Sequence, residues 1–225
     1  MNTAQPFSDP AMIADYVAAT SRKVPGLADL YRMTMLLLAE RAPAAANIIV
    51  VGAGGGLELK AFAEAQPAWH FVGVDPSAGM VDLARRVLGP LGARVDLQQG
   101  FVDAAPPGPF DGATCLLTLH FLHREERLHT LREIRRRLKP GAPLVVAHHS
   151  VPNGGDTTAW LLRSAAFAGG PGVEVDRARR SATKMAEHLP LLSAEEEVSV
   201  QREAGFSEVV LFYAGFSFRG WVSRA

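Results

Sequence analysis

Ile48-Ile49-Val50-Val51-Gly52-Ala53-Gly54-Gly55-Gly56-Leu57 is the stretch on which the reading of this 225-residue chain turns. Four β-branched residues are too few for a helix and run into a glycine cluster, so they read as a strand buried on both faces that ends in a tight turn. Glycine permits the turn and lets backbone N–H groups approach a ligand with no Cβ in the way. A helix opens at about Leu57. The next apolar run ends at Asp75, 23 residues after Gly52. That is near the spacing of about 20 expected for an acid that accepts hydrogen bonds from ribose hydroxyls.

Working outward, Phe71-Val72-Gly73-Val74 reads as a second strand, Arg94 to Leu97 as a third, Ala113 to Leu117 as a fourth and Leu144 to Ala147 as a fifth. Between them lie a helix from Ser77, with Met80, Ala84, Val87, Leu88 and Leu91 inward, and another with an apolar stripe of Leu128, Leu131, Ile134 and Leu138. Strand and helix in alternation predict an α/β fold, a doubly wound parallel sheet with helices on both faces. Upstream, Ser8-Asp9-Pro10 predicts a capped helix over roughly 9–21. A second helix follows Pro25-Gly26, where Leu27, Leu30, Tyr31, Thr34, Leu37 and Leu38 recur at helical spacing.

Residues 151–192 lack strand signals and carry two helices, one with Trp160, Leu161, Leu162 and Phe167, the other arginine-rich around Val175 to Leu189. They read as an insertion over one edge of the sheet. A helix from Ala194 stops at Ala204-Gly205, and Val209 to Ser223, with breaks at Gly215 and Gly220, reads as two closing strands.

Composition narrows the function classes. Lys+Arg and Asp+Glu both number 23, so there is no basic excess of the kind that nucleic-acid binding uses. With 48% hydrophobic residues and no net charge, disorder is excluded. The single cysteine, Cys115, can form neither an internal disulfide nor a cysteine-based zinc site, which suits a reducing cytosol. No signal segment or membrane span is readable. A cytoplasmic chain with neither nucleic-acid nor membrane partners is expected.

Gly52, Gly54 and Gly56 spell G-x-G-x-G, and Leu57 stands where a dinucleotide fingerprint needs Gly or Ala, which disfavours a nicotinamide dehydrogenase. Further pieces are Val74-Asp75-Pro76-Ser77 with Met80, and Phe110-Asp111-Gly112-Ala113 leading to Leu119-His120-Phe121-Leu122. Leu138-Lys139-Pro140-Gly141 and Ala204-Gly205-Phe206 complete the set. In this order they resemble the class I S-adenosylmethionine-dependent methyltransferases, over residues 45–225.

The resemblance implies a Rossmann-like, seven-stranded, mostly parallel sheet whose last strand runs antiparallel. It also implies S-adenosylmethionine as cofactor, S-adenosylhomocysteine as product and a small-molecule acceptor. Carried over, Gly52, Gly54 and Gly56 hold the methionine end and Asp75, with Pro76, the ribose. Gly100, Phe101 and Val102 frame adenine, with Leu117 beside them. Residues 1–225 then form a single methyltransferase domain, in which 1–45 and 151–192 cover the substrate.

Two positions depart from the family pattern. Val50 stands where members carry an acid, so Glu58 would have to turn back to replace it. Phe101 follows Gly100 where Asp is usual, which favours stacking and leaves Asp103 for the exocyclic amine. Arg22 to Gly26, the arginine-rich insertion and the aromatic tail resemble the branch containing carboxy-S-adenosylmethionine synthase, which decorates the cofactor. Arg177, Arg179 and Arg180 would hold its carboxylate; the alternative is a solvated helix face. A non-catalytic cofactor-binding protein is the third reading.

His120 and His123 follow the fourth strand, and His148 and His149 end the fifth, so all four are candidates for the carboxyl edge where ligands bind in such sheets. At most one is expected to act as general base. No metal is expected, because no i, i+4 pair or accompanying carboxylate supports one. Arg132, Arg135, Arg136, Arg137 and Lys139 read as a solvated helix face and Cys115 as core. The apolar face of Trp160, Leu161 and Phe167 lines an acceptor pocket or, alternatively, a homodimer contact.

Overall fold

The computed structural model describes residues 10–225, with side chains from Tyr16 onward. The Ser8-Asp9 cap lies outside the described residues. Helices α1 (Pro10–Lys23) and α2 (Leu27–Ala39) precede the first strand, and α2 buries Leu27, Leu30, Thr34 and Leu38 on one stripe. Then follow β1 (Asn47–Val51), α3 (Leu57–Ala65), β2 (His70–Asp75), α4 (Ala78–Leu88), β3 (Val95–Gln99), β4 (Gly112–Leu116), α5 (Arg124–Arg136) and β5 (Pro143–His149). The chain continues through α6 (Thr157–Gly169), α7 (Val175–His188), α8 (Ala194–Glu203), β6 (Ser207–Gly215) and β7 (Phe218–Arg224).

The seven strands lie in the order β3-β2-β1-β4-β5-β7-β6. The first five are parallel, and β7 runs antiparallel to both β5 and β6. Alternation along each strand divides the core. Ile49, Val51, Ala113, Cys115, Leu144 and Val146 face Leu128, Leu131 and Ile134 of α5 and Val200 of α8. Ile48, Val50, Val145 and Ala147 face Leu30 and Leu38 of α2 and Leu59 and Phe62 of α3. Burying each of the larger side chains contributes about 1.5–3 kcal/mol, which is why continuous β-branched runs such as Ile48 to Val51 serve as central strands.

Three local readings are corrected. Arg94 is not in the third strand. Its guanidinium donates to the carbonyls of Ala63, Gln66 and Trp69 and staples the end of α3, so β3 starts at Val95. Gly220 does not break the last strand; it lies inside β7, where a Cβ would come within 2.9 Å of the Phe212 ring. Arg137 is not solvated but buried, donating to Glu133 and to the carbonyls of Asp103 and Ala105.

The 151–192 segment contains α6 and α7, which pack on each other, and α6 also meets α1. It is tied to the sheet where Ser164 of α6 meets Ser217 in the β6–β7 turn, with the two hydroxyl oxygens 2.6 Å apart.

Candidate functional site

The carboxyl ends of β1, β2 and β4 converge on one pocket. Its lining includes Val51, Gly52, Gly54, Asp75, Pro76, Gly100, Phe101, Val102, Leu117 and Thr118. Each glycine of the turn meets a different constraint. Gly52, at φ 75°, would place a Cβ 2.0 Å from Thr118 Oγ1, and Gly54, at φ 49°, would place one 3.0 Å from the Tyr16 hydroxyl. Gly56, at φ 80°, is outside the pocket lining; a Cβ there would meet the Ala84 backbone at 2.9 Å, so it lets α4 pack close to the start of α3.

Asp75 secures the turn. Its Oδ2 accepts from the Gly54 N–H and its Oδ1 from the Ser77 N–H, each at 2.9 Å. Burial raises its pKa, and these two donors pull the other way. A carboxylate has about four acceptor sites, so two remain for hydroxyl donors in the pocket. Phe101 is 52% exposed and presents a ring at the rim, while Val102 is buried beneath. Leu117, a non-glycine residue at φ 56°, turns the chain sharply after β4 and leads it into Thr118. Backbone in this region is uncommon for branched side chains and clusters at ligand sites.

Some pocket residues carry no sequence signal. Tyr16 reaches the glycine turn only because α1 folds back over it, and burial pushes its hydroxyl up to about 12. Phe121, Leu122 and Thr130 form the far wall. Glu58 does not line the pocket: its carboxylate turns toward β4 and accepts from the Thr114 hydroxyl, beside Val50 in the strand register. Burial pushes it up to about 8. Asp103 faces His129 at 3.1 Å on the surface, and Arg177, Arg179 and Arg180 are exposed on α7. Cys115 is fully buried in β4.

Three of the four histidines gather behind the far wall, and none lines the pocket. The His120 ring packs 4.2 Å from Phe121, 5.0 Å from His149 and 6.4 Å from His148. Burial holds His120 well below the ordinary histidine range, with the neighbouring His149, His148 and Arg127 adding to the effect. Its Nδ1 has no hydrogen-bond partner among the described residues. His149 is lowered to about 3, mainly by burial, and its Nδ1 lies 2.7 Å from the Ser217 hydroxyl. His148 Nε2 lies 2.9 Å from Glu197 Oε1, an oxygen to which Arg127 also donates. His123 stands apart, exposed at the N-cap of α5 in a capping box with Glu126.

Residues 48–141 match a family described as a methyltransferase domain. A putative O-methyltransferase from Nostoc punctiforme superposes with a TM-score of 0.70 at 20% identity, covering 96% of this chain and 60% of that one. Human N-acetylserotonin methyltransferase in complex with SAM gives 0.60 at 15% identity, covering 99% and 62%. This chain thus spans about three fifths of these structural relatives. The matched segment and the sheet order resemble those of class I S-adenosylmethionine-dependent methyltransferases, and they support S-adenosylmethionine as the cofactor.

At the level of individual proteins, the carboxy-S-adenosyl-L-methionine synthase of Chromohalobacter salexigens is 26% identical over 220 residues, covering 96% of this chain and 82% of that one. No helix among the described residues is long and apolar enough to cross a membrane.

Proposed function

We propose that the chain moves a methyl group from S-adenosylmethionine to a small-molecule acceptor. One observation carries this reading: a single pocket holds both the polar fixture of Gly52, Gly54 and Asp75 and an apolar far wall of Leu117, Phe121 and Leu122. In it Gly52 and Gly54 leave room for the methionine end, Gly56 sets the approach of α4, and Asp75 with Pro76 takes the ribose. Gly100, Phe101 and Val102 frame the base, with Leu117 beside them. When bound, the cofactor supplies a methyl group on a sulfonium, whose transfer is an in-line displacement. The protein's part is to align the acceptor and exclude water, which suits apolar walls.

Of the four candidate histidines, His120 is assigned the general-base role, because it alone packs on a wall residue and is free of an ion-pair or capping task. Burial keeps it neutral and also weakens it as a base, so it takes a proton only as the acceptor becomes acidic on receiving the methyl group. Residues 1–45 and 151–192 are assigned as the cover. Modification of the cofactor itself is the second reading, with which the relative that matches nearly the whole chain is compatible; mass spectrometry of ligand retained on purification separates the two.

Calorimetric titration with S-adenosylhomocysteine tests the site. Asp75→Ala is expected to weaken binding by roughly 1.5–3 kcal/mol, the worth of hydrogen bonds to a charged group. Unchanged affinity would remove Asp75 from the ribose.

A further inference from the structure

Outside the pocket, at the same edge of the sheet, two guanidinium groups share one indole. Arg163 Cζ lies 4.5 Å from the Trp160 ring centroid and Arg219 Cζ 5.8 Å from it, so the two cationic centres are within about 10 Å of each other. Among the described residues, neither arginine has a carboxylate within ion-pair distance. Arg219 spends one N–H on the Ser150 carbonyl at 2.6 Å, and burial without a counter-ion lowers its pKa.

An indole face attracts a cation through its quadrupole, but it cannot neutralise two. Elsewhere in the molecule buried or half-buried arginines are paired with a carboxylate, as Arg127 with Glu197, Arg137 with Glu133 and Arg224 with Glu208, or spend several N–H groups on carbonyls, as Arg94 does. Here the chain brings two together, and among the described residues their other N–H groups meet no acceptor. Guanidinium forks fit carboxylate oxygens in pairs.

We infer that Arg163, Arg219 and Trp160 form a binding site for a carboxylate group, and that this group belongs to the acceptor. The position supports the second half, which rests on the methyl-transfer reading. Arg219 lies opposite His148 in the β5–β7 register, one residue inside the carboxyl end of β5. The pocket wall follows β4, two strands away in the order β4-β5-β7. At just under 5 Å per strand that is about 10 Å. The acceptor is therefore a molecule whose carboxylate lies on the order of 10 Å from the atom that is methylated.

Benzoate is the probe and benzamide its neutral control, each titrated into the full chain by calorimetry and by tryptophan fluorescence. Of the three tryptophans, Trp69 and Trp221 are buried, so Trp160 reports. Saturable binding of benzoate but not benzamide is expected, weakened at least tenfold in Arg163→Gln and in Arg219→Gln, with S-adenosylhomocysteine affinity unchanged in both. Arg163 is exposed, so its variant folds regardless of Arg219. Equal binding of benzamide, or benzoate binding untouched by Arg163→Gln, overturns the site. Wild-type chain that takes benzoate as expected but not S-adenosylhomocysteine keeps the carboxylate site and refutes the cofactor reading instead.

Discussion

Glu58 is a carboxylic acid held out of water with one hydroxyl partner, Thr114. An ordinary glutamate ionises near 4.5, and this one near 8. Between those values the unfolded chain sheds a proton that the folded chain keeps. The stability present below pH 4.5 is therefore lost as pH rises through about 8, at up to roughly 1.4 kcal/mol per unit. Glu58→Gln, which still accepts from Thr114, is expected to stabilise the fold by roughly 2–4 kcal/mol at pH 7.5 and not at pH 4.5. Urea unfolding at both pH values checks this, and an equal effect at both would refute it. His149 works in the opposite window. Its folded pKa of about 3 lies below the ordinary 6.5, so stability is full above pH 6.5 and falls on acidification toward 3. His149→Gln should flatten the decline in melting temperature between pH 6.5 and 4.

At this scale the sequence told part of the story. The glycine spacing and Asp75 are governed by local backbone geometry, which a pattern exposes; Gly52, Gly54 and Asp75 line the pocket and Gly56 stands outside it. The histidines are governed by tertiary packing. Nothing in His120-Phe121-Leu122-His123 shows that a sharp turn at Leu117 buries the first histidine and leaves the second at a helix cap. Tyr16 was invisible for the same reason.

Among elements, the contact of α5 with α8 is the most exacting. Arg127, fully buried on α5, donates to Glu197 of α8 and to the carbonyls of Leu122 and Pro190, while His148 of β5 approaches the same glutamate. Removing one partner leaves the other charge buried and alone, which costs about 3–5 kcal/mol. Arg127→Met should destabilise by that amount, and Arg127→Met with Glu197→Leu by clearly less, as a double-mutant cycle from chemical denaturation would show. Additive losses would mean that the ion pair is unimportant. The apolar stripe of α5 is legible from its period; the arginine inside that stripe is not, because periodicity marks a buried position without saying which polar partner waits there.

For the molecule as a whole, α1 and α6 touch each other and Tyr16 of α1 reaches the glycine turn, while no residue of 151–192 is among those lining the pocket. If these helices form the cover, hydrogen exchange should slow in α1 and α6 when S-adenosylhomocysteine is added, by the same factor at any protein concentration. Protection that follows dilution and ignores the ligand would assign the face to a dimer contact. Alternating strands and helices made the parallel half of the sheet readable, since each crossover is local. That the last strand runs antiparallel follows only from the family likeness, and its place between β5 and β6 is not legible in the sequence, because no local pattern encodes the order of two adjacent hairpin strands.

That placement has a consequence in time. Ribosomes deliver β6 first, yet the slot beside β5 belongs to β7, whose partner residues for Pro143–His149 are Phe218–Arg224. Throughout the synthesis of some seventy intervening residues, the hydrogen-bonding flank of a strand that ends fully buried has no native mate. An unpaired, apolar edge of that kind is a template for wrong pairings. The nascent chain is therefore most in need of a chaperone after its cofactor turn has formed and before its last strand emerges.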